Sequence, residues 1–186
     1  SRGLGDVYKR QAENIARYFA NSENVNVAVV LSNNRNVGVH GRVNKLGVPS
    51  FVFSREEFIA GVPILEKLAE YDVCLIVLAG FMNKISDVIL QAFPGKIVNI
   101  HPALLPKYGG KGMYGMHVHE AVVKAGERES GITIHYINEH YDEGDTIFQA
   151  KCPVLPDDSA IDVAQKVHSL EYKHYPLIIE RTILGK

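Results

Sequence analysis

The run Val73-Cys-Leu-Ile-Val-Leu78 has no polar residue at alternate positions. A strand with one wet face alternates, so this segment is predicted to be a strand buried on both faces, as in the parallel sheet of an α/β domain. It is far too short to span a bilayer, which takes about 20 apolar residues in a helix. Elements of alternating kind surround it. Ala12, Ile15, Ala16 and Phe19 repeat at helical spacing, and the β-rich run Val27 to Leu31 follows. Val48 to Phe53 reads as another strand. Ser54 then caps a helix, with Glu57 completing a capping box. Ile85, Val88, Ile89 and Phe93 form an apolar helical stripe stopped by Pro94-Gly95, and Lys96 to Ile100 is the next strand.

A glycine-rich loop extends from Pro102 to Gly115. Val118, Ala121, Val122 and Ala125 resume helical spacing. Gly131 to Ile137 and Thr146 to Val154 are predicted to be the last strands, paired, with the turn Asp142-Glu-Gly-Asp145 nearby. Ser159 and Asp162 form a second capping box that opens a final helix. This order predicts an α/β fold with an open, mostly parallel sheet and helices on both faces.

The 186 residues suit one domain, and 46% hydrophobic with 22% charged residues is ordinary globular composition. A formal net charge of −1 implies no general attraction to nucleic acid or to a membrane. Cys74 and Cys152 match no zinc spacing, and such sparse cysteine use fits a reducing, cytoplasmic setting. No signal peptide is recognised before the first helix.

Ligands of open α/β sheets bind at the carboxyl ends of the strands. Two such ends stand out, Leu78-Ala-Gly-Phe-Met82 and Val98-Asn-Ile-His-Pro102. Asn99 and His101 stand two apart, so both side chains leave the same face of a strand. The Asn N–H can hold a developing oxyanion, and the His can donate to it or move a proton. Spacing alone leaves open that the pair merely satisfies loop backbone.

Asn99-Ile-His-Pro-Ala-Leu-Leu-Pro106 resembles the signature of the 10-formyltetrahydrofolate-dependent formyltransferases. Leu78-Ala-Gly-Phe-Met82 lies upstream at that family's distance. His135-Tyr-Ile-Asn-Glu-His-Tyr-Asp-Glu-Gly144 and Gln149-Ala-Lys-Cys-Pro-Val154 are similar to its downstream segments. The likeness runs from about residue 12 to 183, and ordered motifs are far more specific than Asn-x-His alone. Lys107-Tyr-Gly-Gly110 and Gly115-Met-His-Val-His119 resemble the branch that formylates glycinamide ribonucleotide in purine synthesis. The extra domains of the tRNA-acting and deformylase branches do not fit this length.

The resemblance implies roles. His101 would be the proton donor, Asn99 the oxyanion donor, and Asp142 the carboxylate that favours a protonated His101. Met82, Asn83, Lys84 and Ile85 would line a pterin pocket for 10-formyltetrahydrofolate, closed by Asn138, Glu139, His140, Tyr141 and Asp142. Arg55 would meet the folate's glutamate tail, although Asn83 and Lys84 depart from a common Arg-Ile pair. His168, Ser169, Leu170 and Glu171 would hold the ribose of the ribonucleotide, Glu171 accepting from its hydroxyls. His117 and His119 invite a zinc reading, but no third ligand stands at a suitable spacing and the resemblance implies no metal. Formyltetrahydrofolate hydrolysis, or a non-catalytic domain of the same fold, is the alternative to formyl transfer.

The family begins with a buried strand and a glycine-rich, phosphate-binding loop at a helix N-terminus. Ser1 to Gln11 carry no apolar strand, and Gly3 and Gly5 are wrongly spaced for that loop. Residues 1–11 are therefore expected to be a non-native segment that extends the first helix or dangles, leaving the first strand missing. Residues 12–186 would form a single domain.

Overall fold

The computed structural model describes residues 5–35, 38–140 and 142–186. The chain divides into two compact units, Ser1–Ile97 and Val98–Lys186.

The first unit contains α1 (Gly5–Phe19), β1 (Val30–Ser32), α2 (Val39–Asn44), β2 (Ser50–Val52), α3 (Arg55–Ala60), α4 (Val62–Glu70), β3 (Ile76–Val77) and α5 (Asp87–Ala92). Ile15, Ala16 and Phe19 of the first stripe are buried. Ala16 packs with Val39, Val43 and Val48, and Ala12, Val27, Val30 and Leu46 close over them. Helix α1 begins ahead of Ala12 and runs unbroken through Gln11, as the absence of a helix breaker predicts. Among the described residues no strand precedes it. Ser1 to Leu4 lie outside the described residues.

β1 and β2 pair in parallel, with Val30 opposite Ser50 and Ser32 opposite Val52. Each is shorter than its apolar run, because ladder bonds form only where the two segments lie side by side. The first capping box is present. The Ser54 hydroxyl accepts from Glu57 N–H at 3.1 Å, and Ser54 N–H donates to Glu57 Oε2 at 2.6 Å. The apolar run 73–78 departs most from expectation. Only Ile76 and Val77 are strand, both half-buried, and Cys74 is exposed. Val73 N–H is already bonded to Leu68 O at the end of α4, which withholds the start of the run from any ladder.

The second unit contains β4 (Ile97–His101, whose first residue closes the first unit), α6 (Met116–Lys124), β5 (Glu129–Tyr136), β6 (Thr146–Pro153) and α7 (Ala160–Leu184). β4 pairs antiparallel with β5, and β5 antiparallel with β6. The α/β class holds, but where a mostly parallel sheet is expected the described ladders are of both kinds, parallel between β1 and β2 and antiparallel from β4 through β6. The direct β5–β6 return is a hairpin, whereas a parallel neighbour would need a longer crossover. Ser130 to His135 are all buried, so β5 is an interior strand. Helix α7 opens on the second capping box, with Ser159 N–H donating to Asp162 Oδ2 at 2.8 Å. It packs on α6, β5 and β6, and Val163, Val167, Ile178 and Ile179 along it are buried. No described helix is long and apolar enough to cross a membrane.

Candidate active site

The antiparallel register decides what faces what. Asn99 on β4 stands opposite His135 on β5, and His101 opposite Thr133. Residues two apart share a face, and opposed residues share that face too. Four polar side chains therefore meet on one side of the two strands. Thr133 and His135 are fully buried, and His101 is only 4% exposed.

Each polar atom has an identifiable role. His135 Nδ1 lies 3.0 Å from Tyr136 O, and a carbonyl can only accept, so Nδ1 carries the hydrogen. Burial pushes the His135 pKa below the usual histidine value, opposed by that backbone bond and by the nearby Asp142. The neutral ring thus offers a lone pair at Nε2, which lies 3.4 Å from Asn99 Nδ2. That contact fixes the amide with its N–H groups on the site side. His101 is held the other way round. Its Nε2 donates to Tyr108 O at 2.7 Å, which leaves Nδ1 toward Asp142 Oδ2 at 3.7 Å. That separation is too long for a hydrogen bond but within ion-pairing range.

Asp142 sits between the two rings, with Oδ1 3.7 Å from His135 Nε2. Its Oδ2 accepts from Gly110 N–H at 2.9 Å. The residue itself is left-handed at φ 54°. Gly144 lets the turn close, because a Cβ there would overlap Tyr136 O. The glycine-rich loop is seated by Thr133, whose hydroxyl donates to Ala103 O at 2.7 Å and accepts from Leu105 N–H at 3.0 Å and Gln149 Nε2 at 2.9 Å.

Asn99, His101 and Asp142 therefore converge as expected. Sequence reasoning missed Thr133, His135, Tyr108, Gly110 and Gln149. Of these, the polar alternation Thr133-x-His135 between buried isoleucines was the one visible signal. Asn138 shapes its own loop, its Oδ1 accepting from His140 N–H at 2.8 Å. Glu139 and His140 are exposed, and Tyr141 lies outside the described residues.

On α7, His168 Nδ1 and Glu171 Oε2 are 2.9 Å apart and both residues are buried. Ser169 points elsewhere: it is exposed, and its hydroxyl donates to Gln165 O. Leu170 is half-buried. His119 is fully buried, 6.1 Å from the His168 ring between centroids, and neither of its ring nitrogens has a hydrogen-bond partner among the described residues. His117 on the same helix is exposed beside Glu120. Arg55, Met82, Asn83, Lys84 and Ile85 belong to the first unit. There Arg55, Met82 and Lys84 are exposed, Asn83 is half-buried and Ile85 is part of the core. Among the described residues no group of three or more His, Cys, Asp or Glu side chains is placed to hold a metal.

Comparison with known proteins places this arrangement. The family model described as "Formyl transferase" matches residues 7–179. The chain belongs to the formyl transferase family. Among the curated relatives it is 37% identical over 158 residues to phosphoribosylglycinamide formyltransferase of Haemophilus influenzae, covering 83% of this chain and 72% of that one. It is 36% identical over 163 residues to the chloroplastic phosphoribosylglycinamide formyltransferase of Arabidopsis thaliana, covering 85% of this chain and 56% of that one. The chain thus spans little more than half the plant protein's length. Its fold is similar to the crystal structure of phosphoribosylglycinamide formyltransferase from Anaplasma phagocytophilum, with a TM-score of 0.86 and 32% identity over 96% of this chain and 84% of that one.

Proposed function

We propose that the chain transfers the formyl group of 10-formyltetrahydrofolate to the amine of glycinamide ribonucleotide, a step of purine synthesis, with Asn99, His101 and Asp142 as its reacting groups. The observation that carries this reading is the meeting of an amide, an imidazole and a carboxylate at the end of β4 in a chain of this family. The substrate amine attacks the formyl carbon and gives a tetrahedral adduct with a negative oxygen. Asn99 donates an N–H to that oxygen. In its doubly protonated form His101 also donates from Nδ1, the nitrogen not engaged by Tyr108. Collapse of the adduct breaks the bond to the folate nitrogen, which takes a proton from His101 Nδ1 and leaves as an amine. The attacking amine loses a proton, which passes to Asp142. The products are tetrahydrofolate and the N-formylated ribonucleotide. Glu171, held by His168, accepts from the ribose hydroxyls.

The test is a folate assay with and without the ribonucleotide. Transfer requires that tetrahydrofolate form only when the ribonucleotide is present. Formate release without it would replace this reading with hydrolysis.

A further inference from the structure

The strand end described above does not hold His101 and Asp142 by itself; a single turn of the glycine-rich loop touches both. Tyr108 O accepts from His101 Nε2 at 2.7 Å, and Gly110 N–H donates to Asp142 Oδ2 at 2.9 Å. Between them, Gly109 presses so closely that a Cβ would meet Leu105 Cδ2 at 2.5 Å and Asp142 Cβ at 3.4 Å. Tyr108 lies in the left-handed region at φ 56°, which a residue bearing a Cβ adopts only when its surroundings hold it there. What holds it is visible. The Tyr108 hydroxyl donates to Glu127 Oε1 at 2.9 Å, and the Lys107 ammonium donates to the same oxygen at 3.1 Å. Glu127 lies between α6 and β5, away in sequence from Asn99, His101 and Asp142.

We propose that Glu127 and the Tyr108 side chain are positioning residues, forming a latch that holds the 107–110 turn against His101 and Asp142 and so sets which ring nitrogen of His101 is free to react. The electrostatics agree. The Tyr108 hydrogen bond, with Lys107 beside it, holds the Glu127 carboxyl below the usual carboxylate range. Burial and that same carboxylate push the Tyr108 hydroxyl up. The pair therefore stays a donor and an anion across neutral pH. As an exposed ion pair the Lys107–Glu127 contact would matter little to stability. Its consequence is geometric: releasing it frees the carbonyl that selects the His101 tautomer.

The inference rests on the reading of His101 and Asp142 as reacting groups, but its main readout does not need turnover. Ring nitrogen NMR of the full chain reports which His101 nitrogen carries hydrogen. For the neutral ring of the parent chain the signals should show hydrogen at Nε2. In Glu127→Ala and in Tyr108→Phe they should show mixed tautomers. The thermal midpoint of both variants should stay within a few degrees of the parent. In the formyl-transfer assay kcat should fall roughly 10-fold to 10²-fold, while KM for both substrates stays within about threefold. If either variant leaves the His101 tautomer as in the parent, the latch is not what holds the ring. A parent chain without transfer activity whose variants still shift His101 would remove the functional reading and leave the latch standing.

Discussion

Asn99 and His135 face each other across β4 and β5, with the amide nitrogen 3.4 Å from an imidazole nitrogen that is available only as an acceptor. A neutral His135 orients the Asn99 amide; a protonated one would repel it. Asn99→Ala should therefore lower kcat on the order of 10²-fold to 10³-fold, as loss of an oxyanion donor does. His135→Leu should lower kcat about 10-fold, and Asn99→Ala/His135→Leu should be no worse than Asn99→Ala alone. Steady-state kinetics decide it. Multiplicative losses in the double variant would mean that His135 acts independently of Asn99.

Half of this site was legible because its chemistry lies in one contiguous run. Asn99, His101 and the prolines after them stand on a strand and its exit, so spacing alone placed two side chains on one face. Their partners come from β5, and which β5 residue opposes which β4 residue depends on register, which no local pattern of β4 contains. Tyr108 contributes a backbone carbonyl, and a carbonyl has no sequence signature. The fold shows the same division. Both capping boxes are local and were readable, whereas the run 73–78 looked like a long buried strand because hydrophobicity does not reveal that Val73 is bonded to a helix end.

His119 makes the chain sensitive to acid. Its pKa is lowered from 6.5 to about 4 by burial first, then by the neighbouring His168 and His101. The unfolded chain therefore binds this proton more readily than the folded one. The stabilisation is whole above pH 6.5 and is lost as pH falls through the window down to about 4. At roughly 1.4 kcal/mol per unit, about 2 kcal/mol should be gone by pH 5. Urea unfolding of the parent at pH 7.5 and pH 5 should show that drop, and His119→Met should reduce it. An equal drop in the variant would assign the acid sensitivity to other groups.

Gly144 controls the turn that carries Asp142. A Cβ at this position coincides with Tyr136 O, a backbone atom that cannot swing aside. Gly144→Ala should destabilise the chain by roughly 2 kcal/mol or more, and kcat should fall further than partial unfolding accounts for. Denaturant midpoints and kcat measured on the same preparation separate the two effects. An unchanged midpoint would show that the turn relaxes without strain and that its closeness is not needed.

Thr133 is the strongest test of how the loop is seated, because its hydroxyl uses its whole hydrogen-bonding capacity. A hydroxyl has one donor and two acceptor positions. Here they serve Ala103 O, Leu105 N–H and Gln149 Nε2, in a residue with no solvent exposure. Thr133→Val keeps the shape and removes all three bonds at once. Buried polar groups left without partners cost about 1–3 kcal/mol each. Gln149 Nε2 retains its 3.0 Å bond to Leu105 O, which softens the loss. Thr133→Val should therefore lower stability by roughly 2–4 kcal/mol and cut kcat by loosening the loop that leads to Tyr108. Thr133→Ser keeps the hydroxyl and loses one methyl, so it should stay within about 1.5 kcal/mol of the parent with near-normal turnover. Denaturant unfolding of the three proteins, with hydrogen exchange at Leu105 N–H, gives the comparison. Equal damage in Val and Ser variants would make packing, not the hydroxyl, the thing that seats the loop.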